Sequence, residues 1–209
     1  WTIAKLATLH RTIRPELRGT VYDHYDFRLL TDFAGGKVVV EDAYVDVHYS
    51  NLLELRAGKF KVPFGLERLQ STPAVMFIER GLPTQLAPNR DLGVELFGDV
   101  GCGLLTYQVG VFDGVPNGQS GAGDTDDHKE VAERVFVRPL AHGGTLVRQL
   151  GVGAAVTYGY EDGTVAAPEV AGYKTQGQTT SFQYKSGTAL ANDAIAAGQL
   201  SGAALDVFE

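Results

Sequence analysis

The sequence predicts an all-β protein of antiparallel, up-and-down strands, and three observations carry that reading. Strand-length runs that alternate apolar and polar residues fill most of the chain. The links between them tend to alternate short and long, as in a meander with turns at one rim and loops at the other. Glycine, at 26 of 209 residues, exceeds the usual ~7% and recurs inside strand-like runs at Gly93, Gly98, Gly110, Gly151, Gly153 and Gly159, where it lets backbone bend or neighbours approach.

The elements follow in order. Residues 8–22 set Leu9, Ile13, Leu17 and Val21 against His10, Thr12, Arg14, Glu16, Arg18 and Thr20, with Pro15 on the apolar parity marking an edge or bulge. Residues 26–33 set Phe27, Leu29, Thr31 and Phe33 against Arg28 and Asp32, and Ala34-Gly35-Gly36 breaks the run. Residues 38–49 set Ala43, Val45, Val47 and Tyr49 against Asp42, Tyr44, Asp46 and His48. Residues 52–60 set Leu53, Leu55 and Ala57 against Glu54, Arg56 and Gly58. Lys59 and Lys61 then fall on the apolar parity, which calls for a bulge near Gly58 or for lysines reaching from a membrane boundary toward water. Residues 63–90 interrupt the strands with four prolines and one helix-like piece at 74–80, and a loop of this length is usually functional. Strand candidates at 92–100, 104–112, 131–140 and 150–160 come next, with a short ninth at 179–185.

Each such strand has one apolar face and one polar, largely cationic face. A soluble sandwich turns the polar face outward, whereas a membrane barrel turns it toward a lumen. No run of ~18 apolar residues supplies a transmembrane helix. Residues 1–9 are too short and mixed for a signal peptide, so an exported protein begins here mature, trimmed or incomplete. The charge of −7 argues against a nucleic-acid partner, while the acids of the 124–130 stretch leave room for a locally basic lumen. One cysteine, Cys102 in a Gly-Cys-Gly turn, excludes an intrachain disulfide and a multi-cysteine metal site.

Chemistry-bearing residues are cationic rather than catalytic. Arg14, Arg18, Arg28, Arg56, Arg134 and Arg138 share the polar parity. Their guanidinium forks match phosphate oxygens and stay charged, although the same side chains can simply pair with Asp32, Asp42, Asp46 or Glu54. Arg68, Arg80 and Arg90 lie in the long interruption and, with Lys59 and Lys61, complete the candidate anion-binding set. The five histidines never occur at metal-ligand spacing, and Asp124-Thr125-Asp126-Asp127-His128 lacks the order of a calcium loop. Gly151-Val152-Gly153 only half resembles a dinucleotide fingerprint, and no nucleophile elbow occurs, so neither metal, cofactor nor enzyme activity is expected.

The run Arg14-Pro15, Gly19-Thr20-Val21, Tyr25-Asp26-Phe27-Arg28 and Asp32-Phe33-Ala34-Gly35-Gly36 resembles the phosphate-selective porin O/P family of Gram-negative outer membranes. So do Asp42-Ala43-Tyr44-Val45-Asp46, Gly58-Lys59-Phe60-Lys61-Val62-Pro63-Phe64-Gly65-Leu66-Glu67-Arg68-Leu69 and Glu79-Arg80-Gly81-Leu82-Pro83. Pro88-Asn89-Arg90-Asp91-Leu92-Gly93-Val94, Val109-Gly110-Val111-Phe112-Asp113-Gly114 and Arg134-Val135-Phe136-Val137-Arg138-Pro139 continue the likeness in family order, covering roughly residues 10–187.

The resemblance implies a transmembrane barrel of 16 strands, a homotrimer in the complete protein, loops folded into the pore, and a cationic path for phosphate or polyphosphate. On length, the chain corresponds to the N-terminal half of such a barrel. The organisation expected is a barrel segment at 1–187 and a tail at 188–209, helix then strand. Within that tail, residues 198–209 resemble part of the nucleotide-binding domain of D-2-hydroxyacid dehydrogenases, but so short a piece carries no cofactor site. The alternative from the residues is a soluble or small-barrel β protein binding a small anionic ligand; a barrel of about eight strands encloses side chains or one small ligand, not a channel.

Overall fold

The computed structural model describes residues 13–71, 74–76, 80–81, 83–84, 87–115, 120–121, 128–141, 150–159, 173–174, 180–182 and 202–208. Eight strands run in chain order: β1 (Glu16–Val21), β2 (Tyr25–Asp32), β3 (Val39–Ser50), β4 (Leu53–Lys61), β5 (Arg90–Val100), β6 (Leu105–Phe112), β7 (Glu130–Val137) and β8 (Gly151–Tyr158). Each pairs antiparallel with the next. Two short strands, β9 (Tyr173–Lys174) and β10 (Thr180–Phe182), pair with each other, and β11 (Gly202–Phe208) adds to the free side of β8. The large sheet is therefore β1-β2-β3-β4-β5-β6-β7-β8-β11, with β1 and β11 as its margins. It is an all-β, up-and-down sheet, consistent with part of a barrel and not closed on itself.

Alternation in the sequence becomes two chemically distinct faces because the register keeps like parity together across every pair. One lateral row reads Val45, Ala57, Val94, Val111, Val131 and Tyr158; the next reads Val47, Leu55, Leu96 and Val109. Val45, Leu55, Val94, Leu96, Val109, Val111, Val135 and Val152 on this face are all exposed. The opposite face carries Asp26, Arg28, Asp46, Arg56, Glu95, Gln108 and Arg134. A soluble fold would enclose the apolar rows, since apolar surface left in water forfeits the main driving force of folding. Here the apolar rows are exposed, contrary to what the soluble alternative requires. Two charged residues share that parity in register: Glu133, exposed between Val109 and Val156, and Lys59, buried between Ala43 and Leu92.

Hairpin turns at 22–24, 51–52 and 101–104 gather at one rim, and longer links at 33–38, 62–89 and 113–129 at the other. Aromatic residues mark the turn rim. The Tyr25 and Tyr49 hydroxyls are 2.8 Å apart, the His24 ring lies 4.5 Å from that of Tyr49, and Tyr22 is exposed.

Most strand boundaries fall within two residues of expectation; the clearest differences are local. The described β1 starts at Glu16, just past Pro15, although ladder-like bonding continues before it: Phe33 N donates to the Ile13 carbonyl at 3.0 Å. No register shift occurs at Gly58; the shifts lie at Leu30/Thr31 and His48/Ser50. Helix-like character at 74–80 is only partly within the described residues, where Ala74 N closes a turn onto Ser71 O at 2.9 Å. Among the described residues the α-helix is α1 (Leu66–Leu69), a single turn too short to leave a periodic signal. The helix expected at the start of the tail lies outside the described residues.

Candidate functional site

The 62–89 link does not stand away from the sheet. Val62, Phe64 and Ala87 pack with Phe60 and Phe112 and with Ala132 and Ala155, all of the last four pointing from the polar-parity face. Phe60 and Phe112 meet edge to face at 5.4 Å, and Tyr44 joins Phe60 at 6.0 Å. Glycine makes this seat possible. Phe112 lies over Gly93, its register partner, and over Gly110, and a Cβ at either position would strike its ring. The loop is thus laid across the polar-parity face by an apolar patch set into it.

Once docked, the loop gathers cations at the loop rim. The Lys61 ammonium donates to the carbonyls of Arg68, Leu69 and Gln70 at 2.9, 3.0 and 3.0 Å, so a positive charge caps the C-terminal end of α1. Arg80 also donates to the Gln70 carbonyl, at 2.9 Å. Arg68 is buried and gives its guanidinium protons to the Thr84 and Ala87 carbonyls. Burial, reinforced by neighbouring Arg80 and Arg90, holds Arg68 down to about 10. Arg80 is lowered as well, mainly by burial, with Glu67 opposing and Arg90 and Arg14 adding to the effect. Among the described residues, Lys61, Arg68 and Arg80 are therefore held by neutral carbonyls rather than carboxylates, while Glu67 accepts from Gly81 N at 3.0 Å.

Two other predicted cations reach the same rim already paired. Arg90 bonds Asp42 at 2.7 Å and Glu41 at 3.0 Å; Arg14 bonds Asp32 at 2.7 Å and the same Glu41 at 2.9 Å. Ser120 pairs with Arg90 in an isolated bridge and accepts from Asn89 Nδ2 at 2.8 Å, which ties the next long link to this corner.

The remaining predicted residues are spread over the face. Arg28 bonds Glu16 at 3.0 Å and nears Asp42 at 3.6 Å; Arg18 stands opposite it, exposed and without an ion pair among the described residues. Arg56 is clamped by Asp46 through two bonds, at 2.7 and 2.8 Å, with Glu95 at 3.7 Å. Arg134 reaches the Gln108 amide oxygen at 3.4 Å. Arg138 lies at the turn rim, donating to the Gly103 carbonyl at 2.8 Å, well removed in register from the loop cations. Lys59 is buried, within electrostatic reach of Asp91.

So the structure brings Arg14, Lys61, Arg68, Arg80 and Arg90 together, sets Arg28 at their margin through the shared Asp42, and leaves Arg18, Arg56, Arg134, Arg138 and Lys59 apart from them. Asp32, Asp42 and Asp46 pair as the sequence allowed. Glu41 and Glu95 were not foreseen as partners: Glu95 had a signal, its polar parity between Val94 and Leu96, whereas Glu41 faces the site only through the Leu30/Thr31 register shift. Among the described residues no group of three or more His, Cys, Asp and Glu is arranged to hold a metal ion, and no helix is long and apolar enough to cross a membrane.

An exposed apolar face, a charged opposite face and a link whose described residues pack on that charged face are consistent with part of a porin-type β-barrel. The sequence model described as phosphate-selective porin O and P matches residues 4–196, most of the chain and slightly wider at both ends than the roughly 10–187 over which the likeness runs. The chain belongs to the phosphate-selective porin O and P family. Membership implies an outer-membrane channel rather than an enzyme. No curated protein matches the chain.

Proposed function

We propose that this chain forms part of the wall of an outer-membrane pore of a Gram-negative cell that passes phosphate and polyphosphate anions by passive diffusion. On this reading the apolar rows meet lipid and the charged face lines the lumen. The complete protein is a 16-stranded barrel assembled as a homotrimer. The observation that carries the reading is the docked loop, which puts Lys61, Arg68 and Arg80 beside Arg90 with carbonyl partners, and no direct carboxylate bond to these three, among the described residues.

An anion entering at the loop rim exchanges part of its hydration shell for these donors. Guanidinium forks and a mobile ammonium satisfy phosphate oxygens without a proton having to move. Release requires that no one site bind too strongly, and the carbonyl bonds already made by the cations compete with the anion. No covalent step is involved. Arg18, Arg28, Arg134 and Arg138 extend weaker attraction along the wall, while Arg14 and Arg90, already bonded to carboxylates, hold the loop rim in shape.

Purified complete protein in a planar bilayer tests this. It should give an anion-preferring reversal potential in a potassium chloride gradient, with chloride current blocked by added inorganic phosphate. A cation preference, or chloride current indifferent to phosphate, refutes the proposal.

A further inference from the structure

Across the middle of the charged face, consecutive strands each contribute one residue to a lateral chain of contacts. Asp46 on β3 receives two bonds from Arg56 on β4. Arg56 then faces Glu95 on β5 at 3.7 Å, Glu95 accepts from Gln108 Nε2 on β6 at 2.8 Å, and the Gln108 oxygen receives Arg134 on β7 at 3.4 Å. The register explains the order, since Asp46, Arg56 and Glu95 are direct partners and Gln108 is the direct partner of Arg134. Glu95 is the pivot. Its side chain is 1% exposed, beneath two arginines that reach it from opposite sides, one directly and one through the glutamine amide.

Arg56 is held from above as well. Its guanidinium carbon lies 4.4 Å from the Tyr44 ring centre, 4.9 Å from Phe97 and 5.4 Å from Phe60. Two carboxylates and three rings thus occupy the fork and faces that an anion would need. A fully uncompensated pair of arginines here would be a deep anion trap, and a pore that traps its cargo does not conduct.

We infer that Glu95 is a specificity-determining residue of the pore: its charge sets how strongly the middle of the wall attracts anions by offsetting Arg56 and, through Gln108, Arg134. This rests on the lumen assignment proposed above. Removing one unit charge ~8 Å from an anion seated beyond Arg56, at an effective dielectric constant of ~40 between bulk water and the protein surface, changes affinity about fivefold. Glu95→Gln keeps the volume and an amide able to bond Gln108. It should raise the anion-to-cation permeability ratio and lower the half-blocking concentration of inorganic phosphate by about fivefold, while chloride conductance at saturating phosphate falls.

Glu95→Asp should restore wild-type selectivity, and Arg56→Gln should shift it the other way. Asp46→Asn strips the other carboxylate from the same guanidinium, so it should move both readings as Glu95→Gln does and decides the matter where Glu95→Gln fails to assemble. A merely structural Glu95 would lower yield or conductance without increasing anion preference. Unchanged or weakened phosphate block in these variants, with the wild type still anion-selective, overturns the inference alone. A wild type with no anion preference would instead defeat the pore reading on which it rests.

Discussion

Placing an arginine on the apolar face tests the orientation of the whole sheet. Val94 is the residue of choice: it sits near the middle of β5, between Ala57 and Val111 in register and flanked along the row by Val45 and Val131, and it is half exposed. A guanidinium there has no carboxylate among its row neighbours and cannot reach either rim without crossing at least one further apolar row. For the lipid face of a barrel near the bilayer midplane, such a change costs ~2–4 kcal/mol, or ~30- to 700-fold in the folding equilibrium. In water the same exposed site would tolerate arginine within about 0.5 kcal/mol.

The control is Thr20→Arg, on the opposite face, where the new charge meets Asp26, the Thr20 hydroxyl's partner at 2.5 Å. It should stay within about 0.5 kcal/mol of wild type. Folding of the complete protein from urea into lipid vesicles, followed by the mobility shift of the folded barrel on gels, gives both values. If Val94→Arg folds as well as wild type, the apolar rows do not face hydrocarbon and the inside-out reading fails.

Three further outcomes are expected. Arg80→Gln removes a partly buried cation whose described hydrogen bond goes only to the Gln70 carbonyl, so the loop should stay docked while phosphate block of chloride current weakens severalfold. Arg68 binds its proton less tightly in the folded loop than in the unfolded chain; loop docking therefore gains as pH rises through about 10, while the local positive charge declines. Reversal potentials measured up to pH 11 should show falling anion preference, and Arg68→Gln should remove part of that fall. Gly58→Ala should destabilise the sheet by ~1–3 kcal/mol in urea titrations, because φ is +130° there and a Cβ would run into the Ala43 carbonyl and the Tyr44 backbone.

Strand existence and facing were legible because a two-residue period survives in nearly every run, and register then sorts the faces without further information. Lys59 and Lys61 broke that parity, and no rule of alternation could resolve them. The answer lies in a loop contact: Lys61 is drawn to carbonyls that exist only once α1 has formed after it. Arginines were visible as a class, yet their availability was not. Whether a guanidinium is clamped, like Arg56 by Asp46 across a hairpin, or left to a carbonyl, like Arg80 within the docked link, depends on register and loop docking, which alternation does not encode. Asp42 shows why, since it is bonded to a residue 48 positions away.

The way the long link is fastened has a consequence for how the passage responds to its medium. Val62, Phe64 and Ala87 are anchored in a greasy notch walled by two phenylalanines, and salt does not loosen that kind of contact. On the proposed pore reading, rising ionic strength should blunt the preference among ions and weaken the ion pairs of Arg14 and Arg90 at the loop rim, while the apolar seat of Val62, Phe64 and Ala87 holds.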